Sequence, residues 1–210
     1  MNRPLVSCIV STYCRPSVLL TVEDALAQVG VEVEVLVYDD GPTDWGARLP
    51  RDERLRYMRL PRCSLNFKKG LALADAHGEW SACFDDDDRS RPGRLLHQLS
   101  EIESNCAEGH CFSGSLVYRD CVDGKVWRRL GSPAHFYDGS MVLRTATARR
   151  FPVPDGLWAT GHWLIAAVRE ACGPQAWCTS EAAGWFEAGL NDQNRERCSL
   201  TPPGWELLAP

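Results

Sequence analysis

The fold is decided by the stretch from Gly78 to Asp88, Gly-Glu-Trp-Ser-Ala-Cys-Phe-Asp-Asp-Asp-Asp. Its apolar middle, Trp80 to Phe84, predicts a short buried strand, and four aspartates follow that strand directly. Four adjacent carboxylates repel one another unless a cation neutralises them, and Mg²⁺ or Mn²⁺ takes such oxygen ligands together with substrate phosphates. The stretch therefore favours a metal-binding loop. A solvated turn, or an acidic cluster at the start of the next helix, is the alternative.

Strands and helices alternate on both sides of this stretch. Strands are predicted at Leu5 to Ser11, Val33 to Tyr38 and Leu55 to Leu60, and helices lie between them, including one from Asn66 to Ala76. A further helix follows Pro92. This alternation predicts an α/β fold, a Rossmann-like and mainly parallel sheet flanked by helices.

The second half of the chain follows a different pattern and is expected to form the smaller, acceptor-side part of the molecule. It predicts a hairpin of residues 111–117 with 125–130, a short strand near residues 140–143 and a helix from about His162 to Ala171. The polar tail from Glu187 to Pro210 is interpreted as a flexible flap. We expect a single domain over residues 1–210, with a nucleotide-binding half at 1–100 and an acceptor-binding half at 101–210.

Polar residues follow three of the predicted strands. They are Ser11-Thr12-Tyr13 after the first strand, Asp39-Asp40 after the second, and Asp85 to Asp88 after the fourth. Ligands of open parallel sheets bind beyond the carboxyl ends of the strands. These three clusters are therefore expected to meet at one edge of the sheet and to form a binding site.

Composition narrows the class of protein. The chain has 210 residues, is 44% hydrophobic and 24% charged, and carries a formal net charge of −5. These values are typical of a soluble globular protein and argue against a nucleic-acid or anionic-membrane binder. The amino terminus lacks the apolar region of a signal peptide, and no stretch approaches the roughly 20 apolar residues of a spanning helix. We expect a cytoplasmic protein.

The cysteines offer a second possible metal site. With no secretion signal, the ten cysteines are expected to be reduced, and most of them to be small core residues. A zinc site could be assembled from Cys106, His110, Cys111 and Cys121. This set lacks a Cys-x-x-Cys pair, which disfavours zinc.

Three motifs, in order, give the chain a resemblance to family-2 glycosyltransferases. The run from Pro4 to Pro16, with Ser-Thr-Tyr-Cys-Arg-Pro at its end, resembles the opening of that family. The run Val37-Tyr-Asp-Asp-Gly-Pro-Thr-Asp44 resembles its Val-Asp-Asp-Gly-Ser-Thr-Asp element. The stretch from Gly78 to Asp88 resembles its Gly-Glu-Tyr strand and D-x-D loop. The resemblance implies a GT-A fold and metal-dependent, inverting transfer from a nucleotide-sugar.

The resemblance also implies roles for individual residues. Ser11 and Tyr13 would contact the base, with Asp40 reaching its N–H, and Asp86 would face the ribose or the sugar. Asp87 would hold Mn²⁺ or Mg²⁺ against the diphosphate, which Arg62 or Lys68 would approach. The predicted donor-binding set is completed by Thr12, Arg15, Asp39 and Asp85. The donor is expected to be a UDP-sugar, because that is the commonest donor in the family.

The catalytic base is where the chain departs from the family. Family members place an Asp of a Glu-Asp pair at the start of a helix in the second half, and here Gly161-His162 stands in that position. An imidazole titrates near neutrality and serves as a general base, so His162 is the first candidate. Asp155 is the second, and Glu187 or Asp192 are further alternatives.

Two questions stay open at this level. The missing Glu-Asp pair allows a degenerate, non-catalytic protein that binds nucleotide-sugars or acts as a scaffold. The acceptor is unknown and is expected to be a glycan, a small molecule or a protein, with nucleic acid less favoured; the oligomeric state is also unknown. Asp138-Gly139-Ser140 lies where the family often has a glycine-rich edge near the donor sugar.

Overall fold

A computed structural model describes residues 5–114, 117–120, 125–129, 135–136, 138–152, 154, 160–181, 186–190 and 205–208. The strands are β1 (Leu5–Thr12), β2 (Glu32–Asp39), β3 (Leu55–Arg59), β4 (Trp80–Asp85), β5 (Arg89–Ser90), β6 (Gly109–Gly114), β7 (Val117–Asp120), β8 (Val126–Arg129), β9 (His135–Phe136), β10 (Val142–Arg144), β11 (Trp177–Glu181), β12 (Phe186–Leu190) and β13 (Trp205–Leu208). The helices are α1 (Val18–Leu26), α2 (Leu65–Asp75), α3 (Arg94–Asn105), α4 (Thr145–Arg150) and α5 (Thr160–Cys172). Short 3₁₀ helices lie at Gly46–Arg48, Asp138–Ser140 and Pro174–Ala176.

The central sheet has the strand order β11-β6-β10-β4-β1-β2-β3, and β9 pairs with β6. Strand β1 is parallel to both β2 and β4, and β2 is parallel to β3. Only β10 interrupts this pattern in the path of the sheet, since it is antiparallel to β4 and β6. The predicted α/β fold with a mainly parallel sheet and flanking helices is confirmed.

Helices cover both faces of this sheet, because successive residues of a strand point to opposite faces. Val6, Cys8 and Val10 of β1 are fully buried in a cluster that includes apolar residues of α1 and α3. Ile9 of β1 and Leu36 of β2 belong to a second cluster, which α2 covers. Near-continuous apolar strands are expected when both faces of a parallel sheet are buried, and the strands are therefore held firmly below the edge at which they end.

The second half differs from its predicted arrangement. The predicted first strand of the hairpin is two strands, since β6 joins the central sheet and β7 pairs with β8 in a second sheet of order β13-β8-β7-β12-β5. The tail interpreted as a flap contains β12 and β13 of this second sheet. Backbone pairing to strands distant in sequence overrides the local polar character of these segments.

A buried arginine ties the end of β4 to the segments around it. Arg94 of α3 has no solvent exposure, and its guanidinium donates to Ser90 Oγ (2.8 Å) and to the carbonyls of Cys83 (2.9 Å) and Gly139 (3.1 Å). Its Nε donates to Gln98 Oε1 at 2.9 Å. Burial lowers the pKa of Arg94 to about 10, so that it stays charged at neutral pH. Arg94 thereby holds the residues on both sides of the four aspartates in place.

Among the described helices, none has the length and apolar character that a membrane crossing requires. The cytoplasmic location expected from the sequence stays a prediction, as does the assignment of the whole chain to one domain.

Candidate functional site

The polar residues after β1, β2 and β4 meet at one edge of the central sheet. Register places Thr12 beside Asp39 and Ser11 beside Asp85. The site has two ends. The β2 end is built around Asp39 and Asp40, and the β4 end comprises Asp85 to Asp88.

Asp39 is enclosed by donors from the protein itself. It has no solvent exposure, and its Oδ1 accepts from the Gly41 N–H at 2.8 Å. Its Oδ2 accepts from the Tyr57 hydroxyl at 2.7 Å and from Arg59 Nη1 at 2.8 Å. Asp39 was included in the predicted donor-binding set, but in the structure its carboxylate fixes the turn after β2 and joins it to β3.

Asp40 lies beside two of the predicted phosphate-binding residues. Arg62 Nη1 and the Cys63 N–H donate to its Oδ2 at 2.6 and 3.0 Å, and the ammonium of Lys68 pairs with its Oδ1. Burial alone would raise the pKa of Asp40, but these donors outweigh burial and lower it. Asp40 is therefore a carboxylate at neutral pH.

Lys68 and Arg62 belong to the β2 end, and the expectation that one of them approaches the phosphates stays a prediction. Lys68 is 3% exposed and also donates to the Thr12 carbonyl at 2.9 Å. The Arg62 side chain is 64% exposed, and its guanidinium lies over the Tyr13 ring at 3.7 Å from the ring centre. An aromatic face, a cation and a carboxylate are thus adjacent.

Asp86 closes the β4 end against β1. Its Oδ2 accepts from the Thr12 hydroxyl at 2.7 Å and from the Tyr13 N–H at 3.4 Å, and its Oδ1 accepts from Arg15 Nη1 at 2.6 Å. Burial raises the pKa of Asp86 against the opposing charge of Arg15. Asp86 is 4% exposed and its oxygens are engaged by Thr12, Tyr13 and Arg15, and its expected contact with the ribose or the sugar stays a prediction.

Asp87, the predicted metal ligand, lies beside the same arginine. Arg15 Nη1 is 3.3 Å from Asp87 Oδ2, and the Asp87 side chain is 10% exposed. Within the described part of the chain, no group of three or more His, Cys, Asp or Glu side chains could hold a metal by itself. The role of Asp87 as a metal ligand stays a prediction.

Asp85 and Asp88 line a close approach to Gly139. A Cβ atom at Gly139 would lie 2.2 Å from Asp88 Oδ2 and 2.9 Å from Asp85 Oδ2, distances that no real side chain tolerates. The Asp85 side chain is nevertheless 34% exposed, and Lys69 Nζ lies 3.5 Å from its Oδ1. Asp85 is thus more open than Asp86, Asp87 and Asp88 of the same loop.

Ser11 has a buried hydroxyl with no partner. Ser11 is 7% exposed, and its Oγ makes no hydrogen bond with any described residue. Buried polar groups are normally paired, so this hydroxyl is a candidate ligand contact.

The predicted catalytic residues stay predictions. His162 is in the first turn of α5, at the start of a helix as expected, but its side chain lies outside the described part of the structure. Asp155 and Asp192 lie wholly outside the described residues, and Glu187 is described only as part of the backbone of β12.

Of the alternative zinc set, the described members Cys106, His110 and Cys111 do not form a group that could hold a metal. His110 is enclosed by Gln98 and Ser180, with its Nδ1 and Nε2 each 2.9 Å from a partner, and burial lowers its pKa to about 3. Trp177 Nε1 donates to the thiol of Cys111 at 3.3 Å. Cys121 lies outside the described residues.

Two residues at the site were missed by the sequence reasoning: Lys69 and Arg94. Both carried a signal. Lys69 shares the buried face of α2 with Ala72, and Arg94 adjoins Leu95 on the buried face of α3. Burying a cation on an apolar helix face destabilises the fold unless the cation is paired. Lys69 and Arg94 could therefore have been predicted to interact with the aspartate loop.

Known proteins share this architecture. A structure of S. aureus TarS in complex with UDP-GlcNAc aligns with a TM-score of 0.62 and 18% identity, covering 91% of this chain and 59% of that one. The mannosyltransferase PcManGT from Pyrobaculum calidifontis, in complex with GDP-Man and Mn²⁺, aligns with a TM-score of 0.60 and 16% identity, covering 88% and 59%. These neighbours define the fold as GT-A.

The sequence identifies the family. The profile described as glycosyl transferase family 2 matches residues 7–154, and the chain belongs to this family, as the three motifs indicated.

Curated relatives include succinoglycan biosynthesis protein ExoO of Rhizobium meliloti (strain 1021), 33% identical over 50% of this chain and 32% of that protein. The Escherichia coli protein WfaP, a UDP-Glc:alpha-D-GlcNAc-diphosphoundecaprenol beta-1,3-glucosyltransferase, is 29% identical over 66% of this chain and 55% of its own length. The chain thus spans about a third to a half of these relatives.

Proposed function

We propose that this chain is a metal-dependent glycosyltransferase that moves a sugar from a UDP-sugar to an acceptor hydroxyl with inversion at the sugar carbon. The observation that carries the proposal is the continuity of the site. Asp86 accepts from the Tyr13 N–H and pairs with Arg15, which also lies beside Asp87. On the other side, Arg62 lies over the Tyr13 ring and donates to Asp40. A base-binding end and a metal-binding end are therefore joined along one sheet edge, as a nucleoside diphosphate requires.

The β2 end suits a uracil base. Uracil presents an N–H donor between two carbonyl acceptors, and Asp40 and Arg62 offer a carboxylate acceptor and guanidinium donors side by side. The Tyr13 ring supplies an apolar face on which a base can stack. Because Arg62 is the exposed member of the group, the base would reach Asp40 by displacing this side chain from the ring of Tyr13.

The β4 end suits the diphosphate. Asp87 would hold Mn²⁺ or Mg²⁺, and Arg15 beside it offers guanidinium donors to the same phosphates. The bound ion would neutralise the charge that develops on the departing diphosphate. Arg94 below the loop and Gly139 beside it hold the aspartates at the edge of the sheet.

The transfer itself needs a base on the acceptor side. His162, or alternatively Asp155, would take the proton of the acceptor hydroxyl as its oxygen attacks the anomeric carbon. The bond from that carbon to the diphosphate oxygen breaks, and UDP leaves with the electron pair. Attack from the face opposite to the leaving group inverts the configuration.

The relatives support this proposal. TarS was crystallised with UDP-GlcNAc and PcManGT with GDP-Man and Mn²⁺, and the name of WfaP specifies a UDP-Glc donor. Two of these three name a uridine nucleotide, in agreement with the carboxylate and guanidinium of the β2 end.

A non-catalytic nucleotide-sugar-binding or scaffold protein is the second candidate, favoured by Gly161-His162 at the position of the family's Glu-Asp pair. UDP release distinguishes the two. The protein is incubated with Mn²⁺, UDP-glucose or UDP-N-acetylglucosamine, and a panel of glycan, lipid-linked and small-molecule acceptors. We expect release that His162→Ala lowers by about 100-fold or more, while UDP binding is retained.

Controls separate the two candidate bases. His77→Ala, whose side chain is 72% exposed, should leave UDP release unchanged. If Asp155→Asn abolishes release and His162→Ala does not, Asp155 is the base. Donor binding by the wild-type protein without turnover on any acceptor would favour the binding module.

A further inference from the structure

Helix α2 is anchored at both of its ends to the second half of the chain. In its first turn, Asn66 is 6% exposed, and its Nδ2 donates to the carbonyl of Pro154 at 2.7 Å. At its other end, the guanidinium of Arg149 donates to the carbonyls of Leu73 at 2.9 Å and Ala76 at 2.6 Å. Carbonyls at the end of a helix have no partner within the helix, and arginine is one of the side chains that satisfy them.

The two anchors lead the chain back towards the site. Strand β3 is parallel to β2, so α2 begins at the edge where the aspartates gather and runs away from it. The anchored stretch of α2, from Asn66 to Ala76, is about 15 Å long at about 1.5 Å per residue. An extended chain of the length from Arg149 to Pro154 reaches about 17 Å, and prolines at 152 and 154 disfavour a helix there. The chain is therefore at the site edge when it reaches Pro154.

The anchor at Asn66 lies one helical turn from the aspartates. Asn66 and Lys69 are three residues apart and are therefore neighbours on the helix surface, and Lys69 Nζ lies 3.5 Å from Asp85 Oδ1. The same turn carries Lys68, whose ammonium pairs with the β2 end. A single turn of α2 thus contacts both ends of the donor site and the segment that continues into Asp155.

The hydrogen bond from Asn66 restrains a whole peptide unit. The Pro154 carbonyl and the Asp155 nitrogen belong to the same planar unit, so holding the carbonyl oxygen restrains the point at which the chain enters Asp155. A side-chain amide does not titrate, so Asn66 cannot take a proton from the acceptor. Its contribution to the reaction is positional.

We propose that Asn66 is a positioning residue that places Asp155 on the acceptor side of the site, where its carboxylate accepts a hydrogen bond from the acceptor. The assignment rests on the proposed function. It holds both when Asp155 takes the proton and when Asp155 orients an acceptor whose proton passes to His162. Through Asn66, the helix that pairs with the donor-site aspartates also sets the position of an acceptor-side carboxylate.

Hydrogen exchange tests the anchor without any acceptor. Exchange of peptides that cover residues 150–160 is measured by mass spectrometry in the wild type, Asn66→Ala and Asn105→Ala. We expect exchange about tenfold faster in Asn66→Ala, as for one lost hydrogen bond. The control Asn105 donates to the Glu101 carbonyl at 2.8 Å within α3, and its variant should leave these peptides unchanged. Unchanged exchange in Asn66→Ala would overturn the anchor.

UDP release tests the action through Asp155. It is measured with Mn²⁺, UDP-glucose and the glycan, lipid-linked or small-molecule acceptor that gives the fastest release. Asn66→Ala should lower kcat/KM for the acceptor about tenfold or more. The KM for UDP-glucose and the Kd of UDP should stay within about twofold of wild type, which also shows that the variant is folded. In the Asp155→Asn background, Asn66→Ala should cause no further loss.

Two results would overturn the positioning role. Equal losses from Asn66→Ala with and without Asp155→Asn would mean that Asn66 does not act through Asp155. A rise in the KM for UDP-glucose that accounts for the whole loss would make Asn66 a support of the donor site. Absence of UDP release by the wild type with every acceptor would instead overturn the proposed catalytic function, and the role of Asp155 with it.

Discussion

The β2 end and the β4 end of the site both consist of aspartates at the end of a buried parallel strand, yet the protein treats them differently. Asp39 and Asp40 have no exposed side-chain surface, and donors from β3, α2 and the intervening loop pair with them. At the β4 end, Asp86 is enclosed in the same manner, but the Asp85 side chain remains 34% exposed.

This difference shows what turns a carboxylate into a binding group. Where the chain supplies arginine and N–H or hydroxyl donors, as around Asp39 and Asp86, both carboxylate oxygens accept hydrogen bonds from the protein and hold its loops together. Where the chain supplies fewer donors, as at Asp85, the carboxylate can still accept hydrogen bonds from a ligand. Asp39 and Asp86 are accordingly expected to respond to substitution chiefly in stability, and Asp85 chiefly in binding.

The largest expected effect on stability lies at the β2 end. Asp40→Asn leaves the buried ammonium of Lys68 without its counter-charge, and breaking such a pair costs about 3 kcal/mol of unfolding free energy. Urea denaturation at pH 7 measures this loss. The exposed pair of Asp52 with Arg54 provides the control, since Asp52→Asn should cost less than about 1 kcal/mol. Equal losses would mean that Asp40 is not a structural anchor.

Alanine substitutions at two glycines, Gly139 and Gly70, give the corresponding test at the β4 end. Gly139→Ala forces a methyl group against Asp85 and Asp88 and should weaken Mn²⁺-dependent UDP binding by about tenfold, roughly 1.4 kcal/mol. Gly70→Ala, on α2 with no atom within 4 Å of the added Cβ, should leave binding unchanged and stabilise the protein by about 0.5–1 kcal/mol. Unchanged binding in Gly139→Ala would contradict the close approach.

The smallest effect concerns acid stability. The pKa of Asp40 is lowered in the folded state, so its contribution is complete above the unfolded value of about 3.9 and is lost as pH falls through the folded pKa. Between pH 5 and pH 3, the unfolding free energy of Asp40→Asn should therefore fall less than that of the wild type. The two slopes should differ by at most about 1.4 kcal/mol per pH unit, the value for one proton. Parallel curves would show that Asp40 does not titrate differently on unfolding.

Much of the nucleotide-binding half could be predicted from its sequence. Apolar runs with clear helix and strand periods placed β1 to β4 within one or two residues, because local pattern and tertiary burial agree there. The polar residues after these strands do meet at one edge. Topology alone requires this meeting, since parallel neighbours end on the same side.

The assignment of individual side chains could not be predicted in the same way. Lys68 and Lys69 are adjacent, yet a helix turns about 100° per residue, so one faces Asp40 and the other Asp85. The enclosure of Asp39 depends on Tyr57 and Arg59 of β3, which no local motif indicates. The break between β6 and β7 likewise depends on pairing with distant strands.

Calorimetric titration of the protein with UDP, first with Mn²⁺ and then with EDTA, tests the central claim most directly. We expect binding that requires the metal, is lost in EDTA, and is weakened at least about 100-fold by Asp87→Ala, while Asp52→Ala binds as the wild type does. Absence of UDP binding with and without Mn²⁺ would contradict the UDP-donor site. Binding that neither EDTA nor Asp87→Ala affects would contradict the role of the β4 end as its metal site.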